Sequence, residues 1–291
     1  LAPPVMAEYL AAALEGYPYS AKVWINHLAN PLYGQAGLRA AIEEKLKDPK
    51  RIGLFIAVDA FISETAAFAD YIVPDTLTYE SWGFSAPWGG VPQKASTARW
   101  PVVEPRTART ADGQPVCLES FLIAVAKSLN LPGFGAAAVP DQEGNLHPLN
   151  SLEDYYLRGA ANLAFAGSAV PEASDDDLSI TGLERLRPAL EHTRKQEEWR
   201  RVAYVYARGG RFAPKPDKAA KAPPRIWDRP LCIWNEQVGT TRHSITGERL
   251  SGCPTWYPIR MADGSALEAL YTPDQWPFRL TAYKSNLQSA V

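Results

Sequence analysis

Short β-forming runs alternate with helical patterns in the N-terminal part of the chain, and this alternation constrains the fold most strongly. Lys22–Leu28 is rich in β-formers, and Arg51–Val58 is almost wholly apolar, as expected of a strand covered on both faces of a parallel sheet. Gln35–Leu46 places apolar residues at helical spacing between them. A short helix at Thr65–Ala69 and a strand at Tyr71–Val73 complete a β-α-β-α-β order. The sequence therefore predicts an α/β fold with a doubly wound, mostly parallel sheet.

Beyond Thr76 the pattern is irregular and proline-rich, which predicts an α+β extension. The chain holds 25 prolines in 291 residues, against a usual share of about 5%. We expect three regions: residues 1–132 as the α/β domain, 133–225 as a helical and irregular insertion with a Pro/Lys-rich linker, and 226–291 as an irregular β segment. The expected elements are helices at Cys117–Leu129, Leu152–Phe165 and Ile180–Leu190, a strand at Arg201–Tyr206, and connections at Tyr79–Pro105 and Pro132–Pro148.

Composition and charge exclude several classes of protein. The net charge of −2 argues against a general polyanion binder, because nucleic-acid binding needs a cationic excess. No apolar run approaches the roughly 18–20 residues of a membrane span. Three cysteines cannot form a four-cysteine zinc or iron–sulfur site, and P-loop, HExxH and GxSxG signatures are absent. Cys117 is expected in the core, while Cys232 and Cys253 either pair or stay free thiols.

Polar residues that follow the predicted strands are the candidate ligand-binding groups. Asp59 lies at the carboxyl end of the apolar run, and Asn30 follows the preceding strand. Ligands of open α/β sheets bind at this edge. A carboxylate there can accept two hydrogen bonds from guanine N1–H and N2–H or from a ribose, and the Ser63–Thr65 helix start offers N–H groups to a pyrophosphate. The alternative is an aspartate that only caps the next turn.

Three segments carry a family resemblance. Ser63–Glu80 reads SETAAFADYIVPDTLTYE and resembles the SETA…ADYVLP…E signature of the molybdopterin-guanine-dinucleotide oxidoreductases, the dimethyl sulfoxide reductase superfamily. Ala29-Asn30-Pro31 is similar to the Asn-Pro loop of the same domain. Pro277–Lys284 resembles the strand that opens the family's final, β-barrel-like domain, although Ala282 or Tyr283 replaces its last Thr.

The resemblance implies that residues 1–132 are the family's third domain, which helps to hold one of two pterin dinucleotides. It also implies that residues 226–291 lead into the final domain. The residues that it assigns to dinucleotide binding are Asn30, Asp59, Ser63, Glu64 and Thr65.

The resemblance further implies what accompanies this segment. Family members hold a molybdenum bis(molybdopterin guanine dinucleotide) centre, a 4Fe-4S cluster on an N-terminal Cys-rich motif, and a protein ligand to molybdenum. The chain lacks those motifs and starts at Leu1, so we expect an internal fragment, soluble and inactive alone. The implied partners are an iron–sulfur electron-transfer subunit, together with a membrane anchor subunit, and the implied location is the periplasmic face of the inner membrane, reached by twin-arginine export.

The substrate is predicted from a narrower resemblance. Tyr79–Gly83, Pro87–Pro92 and Ser96–Pro101 are similar to the branch of the superfamily that reduces sulfur oxyanions such as tetrathionate. Arg99 in this region either guides an anionic substrate or pairs with Glu80. Reduction of polysulfide, thiosulfate or arsenate is a second reading within the superfamily, and a non-catalytic Rossmann-like nucleotide-binding domain is a third.

Overall fold

The structure is a computed structural model that describes residues 9–17, 19–34, 39–86, 95–193, 198–212, 233–243, 247–256, 258, 260 and 265–278. The chain forms two compact units. The first is built from residues 1–22, 31–53 and 232–291, and the second from residues 23–30 and 54–231. The division predicted at residues 132 and 225 uses other boundaries and stays a prediction.

Three helices form the described N-terminal part of the first unit. They are α1 Tyr9–Leu14, α2 Pro31–Gly34 and α3 Arg39–Leu46. Leu10, Leu14 and Ile42 are buried, and Arg51 donates to the carbonyl of Leu14 over 2.9 Å. The helix predicted at Gln35–Leu46 is confirmed for residues 39–46, and residues 35–38 lie outside the described part.

The second unit begins with a three-stranded parallel sheet. Its strands are β1 Val23–His27, β2 Leu54–Asp59 and β3 Tyr71–Pro74, in the order β1-β2-β3. A single 3₁₀ turn, Ala66–Phe68, stands where the helix Thr65–Ala69 is predicted. Asp70 ends this turn, because its backbone N–H and its carboxylate both bond to the backbone of Phe55, at 2.8 and 2.7 Å. The predicted parallel sheet is confirmed. The strand order does not reverse among these strands, so double winding stays a prediction.

Helices and short antiparallel strands form the rest of the second unit. The strands are β4 Gly83–Ser85, β5 Ala95–Arg99, β6 Gly135–Pro140, β7 Leu146–Leu149 and β8 Gly210–Phe212. The helices are α4 Leu118–Ser128, α5 Leu152–Phe165, α6 Asp175–Thr181, α7 Arg187–Thr193 and α8 Trp199–Ala207, with 3₁₀ turns at Thr78–Glu80 and Leu183–Leu186. Strands β4, β5 and β8 make one antiparallel sheet, in that order, and β6 pairs with β7. Helix α5 packs against α8 around the fully buried side chains of Leu157, Leu183 and Val202.

Two predicted elements differ from the structure. The strand predicted at Arg201–Tyr206 is wrong, because this stretch lies within helix α8. Its apolar residues also fit a helical face, on which Trp199 and Val202 are buried. The helix predicted at Ile180–Leu190 is broken at Gly182, so the end of α6, a 3₁₀ turn and the start of α7 replace one continuous helix.

Two predicted connections contain strands. Tyr79–Pro105 holds β4 and β5, and Pro132–Pro148 holds the β6–β7 hairpin. The hairpin turn closes on Asp141, whose carboxylate accepts the backbone N–H of Asn145 at 2.8 Å and lies 2.9 Å from Nε2 of His147. The contact with His147 holds the pKa of Asp141 well below its usual range.

The described C-terminal residues, which fall in the segment predicted as irregular β structure, carry little regular structure. Two short helices, Glu236–Thr240 and Leu267–Leu270, occur with isolated bridges. Cys253 is a free thiol, whereas Cys232, the Pro/Lys-rich linker and most of the strand predicted at Pro277–Lys284 lie outside the described residues. Nowhere in the described part does a helix have the length and apolarity needed to cross a membrane.

Candidate functional site

Asp59, the last residue of β2, lies at the carboxyl edge of the parallel sheet. Its Oδ1 accepts the backbone N–H of Phe61 at 3.2 Å, the contact of an aspartate that caps its own turn. Its Oδ2 has no hydrogen-bond partner among the described residues. Asp59 therefore shapes its loop and also keeps one acceptor oxygen at the edge where ligands of such sheets bind.

Asn30 ties the loop after β1 to the loop after β2. Its Oδ1 accepts the backbone N–H and the hydroxyl of Thr65, at 3.2 and 2.7 Å. Its Nδ2 donates to Oε2 of Glu64 at 2.5 Å. Thr65 is fully buried, so its side chain cannot contact a ligand. The structure brings these three predicted residues together and gives Asn30 and Thr65 a positioning role.

Ser63 and Leu28 set the backbone of the same two loops. The Ser63 hydroxyl accepts the N–H of Ala66 at 3.2 Å and so fixes the start of the 3₁₀ turn Ala66–Phe68. Leu28 has a φ of 47°, a left-handed conformation that costs a non-glycine residue about 1–2 kcal/mol. The N–H of Leu28 donates to the carbonyl of Val58 at 3.2 Å, so contacts with β2 help to hold the turn.

A second polar pair lies at this edge and is not evident from the sequence. Asp75 follows β3 and is buried, with Oδ2 2.7 Å from Nε2 of His27 at the end of β1. Its Oδ1 accepts the N–H groups of Thr76 and Leu118, at 2.9 and 3.1 Å. Asp75 therefore caps the start of α4. In the sequence, only its position directly after a predicted strand marks Asp75 as a candidate site residue. Its bond to α4 could not be predicted, because Leu118 lies 43 residues further along the chain.

Arg99 on β5 is an exposed cation. Its Nη2 donates to Oγ of Ser81 at 3.0 Å, and no carboxylate of the described residues pairs with it. The guanidinium packs over Gly83, where a Cβ would lie 2.8 Å from Cζ. The alternative ion pair with Glu80 is wrong, because the Glu80 carboxylate accepts two backbone N–H groups instead, at 3.0 and 3.2 Å.

Similarity to curated reductase subunits extends over nearly the whole chain. No family model matches it. It is 57% identical over 289 residues, 98% of its length, to the A subunit of tetrathionate reductase from Salmonella typhimurium. The chain belongs to the molybdopterin oxidoreductase family. It is also 30% identical to the A subunits of tetrathionate reductase from Archaeoglobus fulgidus and of selenate reductase from Mesobacillus selenatarsenatis, over 93% and 84% of its length. It spans about a quarter of the length of these relatives, 28%, 26% and 24%.

The signature that suggested the molybdopterin oxidoreductase family has a structural explanation in this chain. Its polar residues satisfy backbone N–H groups at the points where the chain changes direction. Each such bond fixes a turn. The bonds of Ser63 and Asp75 lie at the carboxyl edge, whereas Asp70 bonds to Phe55 at the amino end of β2 and β3. The residues concerned are Ser63, Asp70, Asp75 and Glu80, with Thr65 as the buried partner of Asn30.

Three potential metal-ligand atoms, from Asp75, Cys117 and Glu119, lie within 4.8 Å of one another. Protein groups already bond to both carboxylates, since Glu119 accepts the hydroxyl of Tyr156 at 2.5 Å. Burial raises the pKa of Cys117 to about 11. In the metal-free chain the sulfur is therefore a thiol. Because protein groups already bond to both carboxylates, we assign no metal to this trio.

Cys117 is expected to resist alkylation in the folded chain. In a Cys232→Ser/Cys253→Ser background it is the single thiol. At pH 8, a pKa of about 11 instead of 9.0 leaves about 100-fold less thiolate, and burial also excludes the reagent. Iodoacetamide labelling followed by mass spectrometry, with and without urea, measures this difference. If Cys117 were labelled at the same rate with and without urea, it would not be buried in the folded chain.

Proposed function

We propose that the carboxyl edge of β1–β3 forms part of a pterin-guanine-dinucleotide site in the catalytic subunit of a molybdenum reductase. This proposal rests on Oδ2 of Asp59, which lies at that edge and accepts no hydrogen bond from any residue that the structure describes. Its loop neighbours Phe61 and Ile62 are 71% and 73% exposed. A guanine needs an acceptor for N1–H and N2–H and apolar surface for its face, and this loop offers both.

The predicted site residues then take different roles. Asp59 receives the hydrogen bonds of the guanine or of a ribose, and Asn30, Ser63 and Thr65 hold the two loops in place. Glu64 is exposed and fixes the amide of Asn30. When bound, the molybdenum centre supplies the redox chemistry. A 4Fe-4S cluster needs a Cys-rich motif that this chain does not contain, so we place it elsewhere in a longer subunit.

The domain assignment belongs to the same proposal. Residues 1–132 correspond to the doubly wound third domain of the family, residues 133–225 to an insertion, and residues 226–291 to the approach to the β-barrel-like domain. The parallel order of β1–β3 and the coverage of about a quarter of each relative support a segment of this kind.

We propose that the complete subunit reduces tetrathionate. The relative that shares 57% of residues is named for that substrate, and a relative at 30% is named for selenate, which is also an oxyanion. Arg99 supports an anionic substrate, since it is an exposed guanidinium without a carboxylate partner in the described part of the chain. Polysulfide, thiosulfate and arsenate are the alternatives.

The proposed partners follow from the names of the relatives, each of which is one lettered component of a complex with several subunits. We propose an iron–sulfur electron-transfer subunit, together with a membrane anchor subunit. The proposed location is the periplasmic face of the inner membrane, reached by twin-arginine export.

Asp59→Asn in the complete subunit tests the cofactor site. Asparagine can keep the contact of Oδ1 with the N–H of Phe61. Its amide NH2 replaces Oδ2, however, and cannot accept the N1–H and N2–H groups of a guanine. We expect about tenfold less bound molybdenum per subunit, the size expected when charge-assisted hydrogen bonds are lost. Metal analysis and released guanine nucleotide provide the measurement. Asp176→Asn, at an exposed position on α6, is the control. Normal molybdenum content in both Asp59→Asn and Asp59→Ala would remove Asp59 from the site.

A further inference from the structure

A cavity of about 380 Å³ lies in the second unit, and none of the residues proposed for dinucleotide binding lines it. It is bounded by the loop over residues 101–117, the first turn of α5 and the 3₁₀ turn before α7. Its apolar walls include Trp82, Pro105 and Leu152. The Trp82 ring stacks on that of Tyr156 with centroids 5.9 Å apart, and both residues contribute to the cavity wall. A space of this size accepts a long amino-acid side chain.

Charged groups at this cavity are mostly acidic. Five carboxylates line it, against two arginines. Both arginines are already engaged: Arg109 pairs with Glu104 at 3.3 Å, and Arg185 donates to the carbonyl of Pro101 at 2.8 Å. The cavity therefore attracts cations and repels anions. The five carboxylates belong to Glu80, Glu104, Asp112, Glu119 and Glu153.

Two of these carboxylates can accept further hydrogen bonds from a ligand. Glu119 accepts the Tyr156 hydroxyl with Oε1 only. Glu153, in the first turn of α5, has no hydrogen-bond or ion-pair partner among the described residues. Loss of contact with water raises the pKa of Glu153, and the neighbouring negative charges of Asp154 and Glu104 raise it further. A cation in the cavity would offset that repulsion.

We propose that this cavity binds the guanidinium group of an arginine presented by another polypeptide segment, with Glu119 and Glu153 accepting its hydrogen bonds. Arginine fits better than lysine for two reasons. Its planar fork of five N–H donors can serve two carboxylates at once, and a guanidinium is more weakly hydrated than an ammonium, so it enters a cavity with apolar walls more readily. The proposal does not depend on the reductase assignment, because it rests on a different set of residues.

Binding of N-acetylarginine amide to the 291-residue chain tests the proposal by calorimetry. We expect saturable binding that weakens about tenfold in Glu119→Gln and in Glu153→Gln, because each loses a charge-assisted hydrogen bond. Glu184→Gln is the matched control, since Glu184 is exposed, near Arg185, and does not line the cavity. N-acetylglutamine amide should not bind.

Three results would overturn the proposal: no saturable binding of the arginine probe, equal binding of the neutral probe, or losses in Glu119→Gln and Glu153→Gln no larger than in Glu184→Gln. Circular dichroism of each variant verifies the fold. Once binding is established, the same titration on the complete subunit locates the source of the arginine. Blocked binding indicates a segment of the subunit itself, and retained binding indicates a separate polypeptide.

Discussion

The Arg158→Met variant is expected to have a free energy of unfolding about 3–5 kcal/mol below that of the parent chain. Arg158 on α5 is 1% exposed. Its Nη2 and Nη1 donate to the two carboxylate oxygens of Glu198, at 3.1 and 3.3 Å, and its Nε donates to Asn162 at 3.2 Å. Without the guanidinium, Glu198 becomes a buried charge with no cation. Urea unfolding at pH 7, followed by circular dichroism, measures the loss.

An exposed ion pair gives the matched control for this variant. Glu172→Gln removes the carboxylate that pairs with Arg201 at 3.1 Å, where Glu172 is 54% exposed, and we expect a loss below about 1 kcal/mol. The double variant Arg158→Met/Glu198→Met leaves no unpaired charge, so its loss should be smaller than the sum of the single losses. If Arg158→Met costs no more than Glu172→Gln, the pair is hydrated and its burial contributes little.

Elements with complete local signals could be predicted from the sequence. Helix α5 begins and ends at Leu152 and Phe165, the predicted bounds. Ser151 accepts the N–H of Asp154 at 3.1 Å, and the Asp154 carboxylate accepts the N–H of Ser151 at 3.0 Å. This capping box and the helical spacing of apolar residues lie within one stretch of chain. The start and end of α5 are therefore set mainly by residues close in sequence.

Burial is harder to predict because it depends on what covers an element. The apolar run Arg51–Val58 predicts a strand covered on both faces. In β2, however, Leu54 and Ile56 are only half-buried, and their β1 partners Val23 and Ile25 are 53% and 41% exposed. The strand itself is confirmed, since apolar β-formers specify extended backbone. Its composition does not specify the layer that covers each face.

The candidate site shows the same division between local and distant contacts. The turn contacts of Asp59 and Ser63 span two and three residues, and sequence reasoning could predict them. The bond from Thr65 to Asn30 spans 35 residues, and the bond between Asp75 and His27 spans 48. Such partners are chosen by strand order, which no single residue encodes. The positioning role of Asn30 therefore emerged only from the fold.

The Gly210→Ala variant is expected to lower the free energy of unfolding by about 3 kcal/mol or more. Gly210 opens β8 with a φ of 138° and pairs with Thr97 of β5. A Cβ at this position would lie 2.2 Å from the carbonyl oxygen of Ser96 and 2.7 Å from Cα of Thr97. Both contacts are with backbone, so no side-chain rotation relieves them, and β5 and β8 must separate. Thermal and urea unfolding measure the loss.

Gly209→Ala separates this steric effect from the cost of the backbone conformation alone. Gly209 precedes Gly210 and also has a positive φ, 68°, but a Cβ there would meet no atom within 4 Å. We expect Gly209→Ala to cost only the left-handed conformation, about 1–2 kcal/mol. Equal losses in the two variants would mean that β8 does not approach β5 as closely as the structure shows.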